Sequence, residues 1–337
     1  MLPEEREFIN RYLFIDGQYF LTRNWAFLKT RGLLDVRTLL EMFLKSIGKI
    51  QSKVMADNVI LLFDSYPYRK TKELIDAGVD YKGNREFALD RINEINKILE
   101  TETNPSEIEA LNKELEEKKK DHASFLIRKE TKVILKEWLP KFGISTLSIP
   151  TLEADDLACQ AALWSKKHIN RENRERSVIC SSDSDWLSFC SPWTDMYRTT
   201  KTEEWLKFED SFGKIPKRYR LSLNLYEYNL LHNAYYGDHN NIKKDPETVE
   251  KYTFTQVVNN YLNGDISKMP YVEKVFNALN VIEYYNDDIE KAFDDACLSI
   301  KPDFSMFIEF CTHFDLRISE YIYDEILNFS EIANKNK

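Results

Sequence analysis

The chain has 337 residues and a formal net charge of −9, and 43% of its residues are hydrophobic. This length suits one large domain and one smaller domain. No apolar run approaches the roughly 18 residues of a membrane span, and the acidic N-terminus is unlike a signal peptide, so we expect a soluble cytoplasmic protein. Five scattered cysteines without a C-x-x-C pair argue against a disulfide framework or a zinc site.

The acidic balance opposes nucleic-acid binding, which basic surfaces usually drive. Two local basic clusters, at residues 166–176 and 214–220, weaken this objection. Eight of the acidic residues are also assigned below to a single site, and without them the net charge is −1. Net charge therefore does not exclude a nucleic-acid partner.

Short apolar runs that end near an acidic residue predict the strands of a sheet. The predicted strands occupy residues 11–15, 59–63, 144–149 and 177–181. Asp16 and Asp64 directly follow the first two, and a helix that starts near Glu153 separates the last two. Alternating strands and helices predict a parallel sheet with helices on both faces. Ligands of such sheets lie beyond the carboxyl ends of the strands.

A long charged insertion separates the second and third strands. Residues 89–99 keep helical spacing, and residues 104–106 then interrupt the pattern. Ser106 and Glu109 have the spacing of a capping box for a second helix, which continues to Trp138. The insertion is a helical hairpin, either a solvated coiled-coil-like projection or an arch over a site.

Acidic residues collect at the carboxyl ends of the predicted strands. Three lie within four residues at the start of one helix, where acids can also be simple partners of the helix dipole. Two follow a buried strand, one ends a later helix, and two more end the first strands. Together they form an all-oxygen site that repels itself without cations. The eight carboxylates are Asp16, Asp64, Glu153, Asp155, Asp156, Asp183, Asp185 and Asp238.

Oxygen donors without a nearby His or Cys favour Mg²⁺, or Mn²⁺ in its place, over zinc. Two such ions suit phosphodiester hydrolysis because both stabilise the attacking and leaving oxygens. The residues alone predict metal-dependent phosphoryl chemistry and leave a nuclease and a phosphatase open.

Six motifs stand in the order of a known family. They are Phe14-Ile15-Asp16-Gly17 with Arg23, Phe63-Asp64, Tyr81-Lys82-Gly83-Asn84-Arg85, Glu153-Ala154-Asp155-Asp156, Ser181-Ser182-Asp183-Ser184-Asp185 and Gly237-Asp238. On these motifs the sequence resembles the flap endonuclease and 5′–3′ exonuclease superfamily, which has a PIN-like nuclease fold. Within it, the chain is most similar to phage-type ribonuclease H.

The resemblance implies a role for each site residue. The residues implied around a first metal are Asp16, Asp64, Glu153 and Asp155, with Asp156 at or just outside that group. Those implied to hold a second metal, directly or through water, are Asp183, Asp185 and Asp238. Lys82 and Arg85 are implied to contact the scissile phosphate, and the hairpin to be the arch beside which a 5′ strand passes. The further predicted nucleic-acid contacts are Arg69, Tyr81 and Arg128.

The chain departs from the family pattern after Gly237-Asp238. The segment that ends at Ile242 is one residue shorter than usual and lacks a second aspartate, which puts one metal contact in doubt. The family's glycine-rich helix-turn-helix loop is also absent, and residues 243–246 stand where it would begin. A monovalent-cation site is therefore not supported, and we expect duplex to be held by a different loop.

We predict a three-layer α/β/α fold with a central, mostly parallel, twisted sheet. Residues 1–220 form the nuclease domain, with the arch at about residues 66–139, and residues 221–337 form a helical C-terminal duplex-binding region. The expected substrates are DNA with a 5′ flap or 5′ end and RNA–DNA hybrids, in replication or repair. Expected partners are a polymerase or a single-strand-binding protein in a phage-infected or bacterial cell, with no membrane. A monomer is the default.

Two alternatives stay open. A PIN-like ribonuclease of single-stranded RNA would be smaller and would lack the hairpin at residues 85–139. A catalytically silent nucleic-acid-binding relative would have lost some of the acids, all of which are present.

Overall fold

In the described residues, six strands form one sheet. The computed structural model describes residues 9–66, 68–76, 78–79, 88–200, 202–237, 242–298 and 303–318, with residues 322 and 325. The strands are β1 (Ile9–Asp16), β2 (Asn58–Leu62), β3 (Ser145–Leu147), β4 (Glu175–Ser181), β5 (Thr194–Thr199) and β6 (Glu203–Leu206). Their order is β3-β2-β1-β4-β5-β6. All neighbours run parallel except β6, which is antiparallel to β5 at one edge.

Helices account for most of the remaining described chain. Those that precede β4 are α1 (Gly17–Thr30), α2 (Val36–Val54), α3 (Arg69–Asp76), α4 (Ala88–Leu99), α5 (Pro105–Trp138) and α6 (Ala154–His168). Those that follow β6 are α7 (Phe208–Lys214), α8 (Leu225–Tyr236), α9 (Pro246–Lys251), α10 (Phe254–Leu262), α11 (Pro270–Leu279), α12 (Asp287–Leu298) and α13 (Phe304–His313). No helix in the described ranges combines the length and apolar character that a membrane span requires.

The central strands β1, β2 and β4 are buried on both faces over their apolar residues, as those apolar runs predict. Along β1, Phe14 belongs to one hydrophobic core, whereas Leu13 and Ile15 belong to the core on the other face. Trp164 of α6 covers the Phe14 face, and Phe43 of α2 packs in the opposite core. The predicted three-layer α/β/α fold is thus confirmed.

The helical hairpin is formed by α4 and α5. The guanidinium Nε of Arg91 on α4 lies 2.7 Å from the Glu114 carboxylate on α5. The second half of α5 is fixed to α1, because the Trp25 indole donates to the Ser124 carbonyl at 2.7 Å and Lys29 pairs with Asp121. The lower part of the hairpin is therefore fixed to the helices that cover the sheet.

The predicted capping box of α5 is wrong. The Asn104 side chain caps the helix by accepting from the backbone N–H of Ser106 at 3.1 Å. Pro105 occupies the first helical position, where its missing N–H costs nothing. Ser106 consequently lies inside the helix, and its hydroxyl donates to Asn104 rather than capping with Glu109.

The helices after residue 220 share both cores with the sheet. Leu231 and Phe293 pack in the same core as Phe14, and Phe310 packs in the same core as Phe43. The domain boundary at residue 220 stays a prediction, since the described packing continues across it. Of the end of the predicted helical region, after residue 318, only residues 322 and 325 are described.

Gly237, which directly follows α8, has a backbone that other residues rarely adopt. Its φ is +78°, and a Cβ atom there would lie 2.4 Å from the carbonyl oxygen of Ile242. We expect Gly237→Ala to lower the free energy of unfolding by more than about 2 kcal/mol, because a backbone clash adds to the strain of positive φ.

Gly264 is the matched control for this prediction. Its φ is +72°, but a Cβ atom there meets nothing within 4 Å. Gly264→Ala should cost about 1–2 kcal/mol, the conformational part alone. Denaturant titration of both variants compares the two losses, and equal losses would contradict the close approach at Gly237.

Candidate active site

Seven of the eight predicted carboxylates lie in described residues, and all seven lie at the carboxyl edge of the sheet. They come from the ends of four adjacent strands, in the order β3-β2-β1-β4. The positions are Glu153, Asp155 and Asp156 at the start of α6 after β3, Asp64 after β2, Asp16 at the end of β1, and Asp183 and Asp185 after β4. Asp238, Tyr81, Lys82 and Arg85 lie outside the described residues.

Asp16 joins the ends of β1 and β4. It caps α1 by accepting from the backbone N–H of Tyr19 at 2.8 Å, and its other oxygen accepts from the Ser181 hydroxyl at 2.9 Å. The Ser181 hydroxyl in turn accepts from the backbone N–H of Asp183 at 3.1 Å. Two of the predicted metal ligands are thus connected through one serine.

Asp64 connects β2 to α6 and to the hairpin. One carboxylate oxygen accepts from the backbone N–H of Ala154 at 2.8 Å, and the other accepts from the Tyr68 hydroxyl at 3.3 Å. Lys132 on α5 donates to the Asp64 carbonyl and to Gln18, both at 2.8 Å. Lys132 therefore fixes the main chain beside a candidate ligand, a role that the sequence did not indicate.

The three acids at the start of α6 have different surroundings. Asp155 accepts from the Trp186 indole N–H at 2.7 Å. Asp156 is 1% exposed and accepts from the backbone N–H of Glu153 at 3.1 Å. The Lys70 ammonium lies 2.5 Å from Asp156 and 3.5 Å from Glu153. Asp156 is thus committed to the fold, and Lys70 is a second residue that the sequence did not reveal.

Burial and neighbouring negative charges raise the pKa values of two carboxyls at this edge. Burial, followed by the nearby charges of Asp155 and Asp64, raises the pKa of Asp16 well above its usual range. Asp155 keeps an exposed surface, but protein crowds around its carboxyl group. This crowding, with the charges of Asp183 and Glu153, raises its pKa to about 7. Negative charge at this edge is therefore only partly compensated by the protein.

Asp183 and Asp185 lie on the open side of this edge. Asp183 caps a short 3₁₀ helix at residues 184–189, because its carboxylate accepts from the backbone N–H of Asp185 at 2.9 Å. Both side chains are exposed to solvent. They can therefore meet a ligand from solution.

The chemistry of these donors fits a hard divalent cation, since all are carboxylate oxygens and two titrate at raised pKa. Within the described part of the chain, no three His, Cys, Asp or Glu residues are close enough to form a metal-binding group. Asp238, the eighth predicted ligand, is outside that part. The chemistry of these residues therefore fits a divalent metal, although no three of the described ones are close enough to surround an ion.

Arg69 and Arg128 occupy different surroundings. The Arg69 guanidinium pairs with Glu73 and lies 3.8 Å from the centre of the Tyr284 ring, so it links α3 to the C-terminal helices. The Arg128 guanidinium lies on α5, 4.8 Å from the centre of the Trp25 ring. Contact with nucleic acid stays a prediction for both, and Arg69 has a structural role that competes with it.

The sequence profile of the family described as "5'-3' exonuclease, N-terminal resolvase-like domain" matches residues 11–214, more than half of the chain. The chain therefore belongs to this family, within the flap endonuclease and 5′–3′ exonuclease superfamily. No curated protein matches it.

Solved structures that match the structure of this chain include proteins of bacteriophage T5. One is its flap endonuclease in a pseudo-enzyme–product complex with DNA and metal ions, at 14% identity and a TM-score of 0.48. Another is its 5′-exonuclease with bound zinc, at 17% identity and a TM-score of 0.44. Each similarity covers 90% of this chain and 98% of the T5 chain.

Removing the Asp155 charge should stabilise the protein in chelator. A carboxyl whose folded pKa is raised to about 7 contributes stability below its unfolded pKa of about 4 and loses it as the pH rises through 7. We expect Asp155→Asn to raise Tm by roughly 2–4 °C at pH 8, the shift for about 1 kcal/mol, after allowance for solvent screening. The gain should shrink at pH 5.

Thermal melts at the two pH values in chelator make this measurement. The control is Asp288→Asn, which alters an exposed carboxylate of α12. A gain for Asp155→Asn that is the same at pH 5 and pH 8 would show that charge repulsion is not its cause.

Proposed function

We propose that this protein is a divalent-metal-dependent 5′-nuclease that removes 5′ flaps, 5′ ends and RNA primers by hydrolysing phosphodiester bonds. One observation carries the proposal: carboxylates from four adjacent strand ends converge on one edge of the sheet in a chain of the 5′–3′ exonuclease family. Ligands of such sheets bind at this edge. The proposed setting is DNA replication or repair.

The proposed metal ligands divide along the edge. Asp16, Asp64, Glu153 and Asp155 would hold one ion, and Asp183, Asp185 and Asp238 a second. Mg²⁺, or Mn²⁺ in its place, would supply the positive charge that stabilises the transferring phosphoryl group. Asp156 would stay outside, because its oxygens are committed to the Glu153 N–H and to Lys70.

Other residues of the chain position these carboxylates. The Ser181 hydroxyl orients Asp16, the Trp186 indole orients Asp155, and Lys132 fixes the Asp64 main chain. Fixed donors reduce the reorganisation that substrate binding would otherwise require. Lys82 and Arg85 are proposed to contact the scissile phosphate, and Tyr81, Arg128 and Arg69 to contact the strand that leads to it.

Two observations favour this function over its alternatives. A PIN-like ribonuclease of single-stranded RNA would not need the hairpin of α4 and α5. A silent binding relative has no need for carboxylates whose pKa values are raised by burial and by the charges of neighbouring carboxylates. Such strained charge clusters are typical of functional sites.

Substrate choice tests the proposal directly. With Mg²⁺, the protein should cleave a 5′-flap duplex and the RNA strand of an RNA–DNA hybrid, and it should cut single-stranded RNA of the same sequence far more slowly. Gel analysis of end-labelled substrates, with and without chelator, makes the comparison. Cleavage of single-stranded RNA alone would replace the proposal with the PIN-like ribonuclease.

Asp185→Asn should slow cleavage by at least about 100-fold. Losing a residue that only supports a metal ligand costs up to about 100-fold, and losing a ligand should cost no less. The exposed position of Asp185 predicts an unchanged fold, which circular dichroism and Tm would verify. Asp288→Asn is the control for a carboxylate outside the edge. Wild-type turnover in Asp185→Asn would remove this residue from the site.

Lys82→Ala should act on the chemical step more than on binding. A cation that stabilises the transition state contributes about 100-fold to 1000-fold to the rate. We therefore expect single-turnover rates to fall by about 100-fold while duplex affinity falls by less than about tenfold. A loss of affinity as large as the loss of rate would make Lys82 a simple binding residue.

A further inference from the structure

A basic loop, residues 214–222, begins at the last residue of α7 and leads towards α8. Lys214, Lys217 and Arg218 are exposed, and Arg220 is partly buried. No acidic residue occurs from residue 211 to residue 226, although the whole chain carries a net charge of −9. None of these four cations forms an ion pair within the part of the chain that the structure describes. The loop is therefore a concentrated positive surface on an acidic protein.

The loop is held in place by its own contacts. Tyr219 is 5% exposed, its ring packs edge-on against Phe254 at 5.8 Å, and its hydroxyl lies 3.0 Å from the Thr255 hydroxyl. The Arg220 Nε donates to the Ile215 carbonyl at 2.6 Å. Because the backbone is already ordered, the exposed cations can meet a partner at a low entropic cost.

The composition of the loop indicates a polyanion with regularly spaced phosphates. Proteins that bind single strands add exposed aromatic rings on which bases stack. In this loop the one aromatic ring, Tyr219, is buried, and the apolar side chain that protrudes is the aliphatic Leu221. Backbone contact without base stacking is typical of binding to paired strands.

We propose that residues 214–222 bind the sugar–phosphate backbone of duplex nucleic acid. This rests on the proposed function, and it supplies the duplex contact for which the sequence lacks the family's glycine-rich loop. The 12 residues of α8 separate the loop from Gly237. They span about 18 Å, about half of a turn of B-form DNA. A duplex with its end at Gly237 is therefore long enough to cross the loop.

Salt dependence of binding tests the proposal. Each phosphate contact contributes about 0.9 to the slope of log K against log salt. For Lys217→Ala/Arg218→Ala we expect the slope to fall by about 2, with weaker binding of blunt duplex DNA, measured by fluorescence anisotropy in chelator. Binding of a single strand of the same length should change much less.

The matched control is Lys45→Ala/Lys49→Ala on α2. It also removes two positive charges, but these pair with Glu41 and Glu203, and α2 packs against the opposite face of the sheet from α8. Its slope should equal that of the wild type. An unchanged slope in the loop variant, or an equal loss in the control, overturns the inference.

Further outcomes separate this inference from the nuclease proposal. If the wild type cuts nothing yet the slope falls as expected, the nuclease proposal fails and the duplex surface stands. If the wild type cuts and the slope is unchanged, the duplex surface alone fails. A loss of binding to anionic phospholipid vesicles, with duplex binding intact, would replace duplex with a membrane surface.

Discussion

Parallel pairing of β1 with β2 on one side and β4 on the other is the constraint from which the site follows. Asp16 pairs in register with Leu62, and Ile15 pairs with Cys180, so these strands end at nearly the same level. The helices α1 and α6 begin at this edge, where their first N–H groups have no partner within the helix. Carboxylates are the natural partners of such groups. The same geometry that satisfies the backbone thus gathers acidic side chains in one place.

The collected charge is stabilised only in part by the protein. Tyr19, Ser181, Ala154 and Trp186 each donate to a carboxylate of the edge, and Lys70 compensates Glu153 and Asp156. Even so, the pKa values of Asp16 and Asp155 are raised. Hydrogen bonds fix where these oxygens lie, but they do not remove the repulsion between them. An external cation would therefore neutralise the negative charge that the protein itself leaves uncompensated at this edge.

Much of this arrangement could be predicted from the sequence, and the reasons are physical. Strands β1, β2 and β4 each contain a short apolar run, at residues 13–15, 59–62 and 178–180, and the acids that follow them mark the edge. In contrast, β5 and β6 carry Thr194, Asp195 and two glutamates, so no regular spacing of apolar residues predicts these two strands. Lys132 and Lys70 could not be foreseen, since each reaches residues more than 60 positions away. The Asn104 cap was missed because Ser106 and Glu109 imitate a capping pair.

The sharing of cores between the sheet and the C-terminal helices has a consequence for how this chain can be divided. Trp164 of α6 packs against Phe293 of α12, and Phe142 packs against Phe307 and Phe310 of α13. A fragment that stopped at residue 220 would leave these rings facing water. Residues 1–220 and residues 221–337 are therefore poor candidates for separate expression or domain exchange. A protease cut near residue 220 would leave two pieces that stay associated. The shared cores therefore predict that the chain folds as one unit, although its sequence suggests two domains.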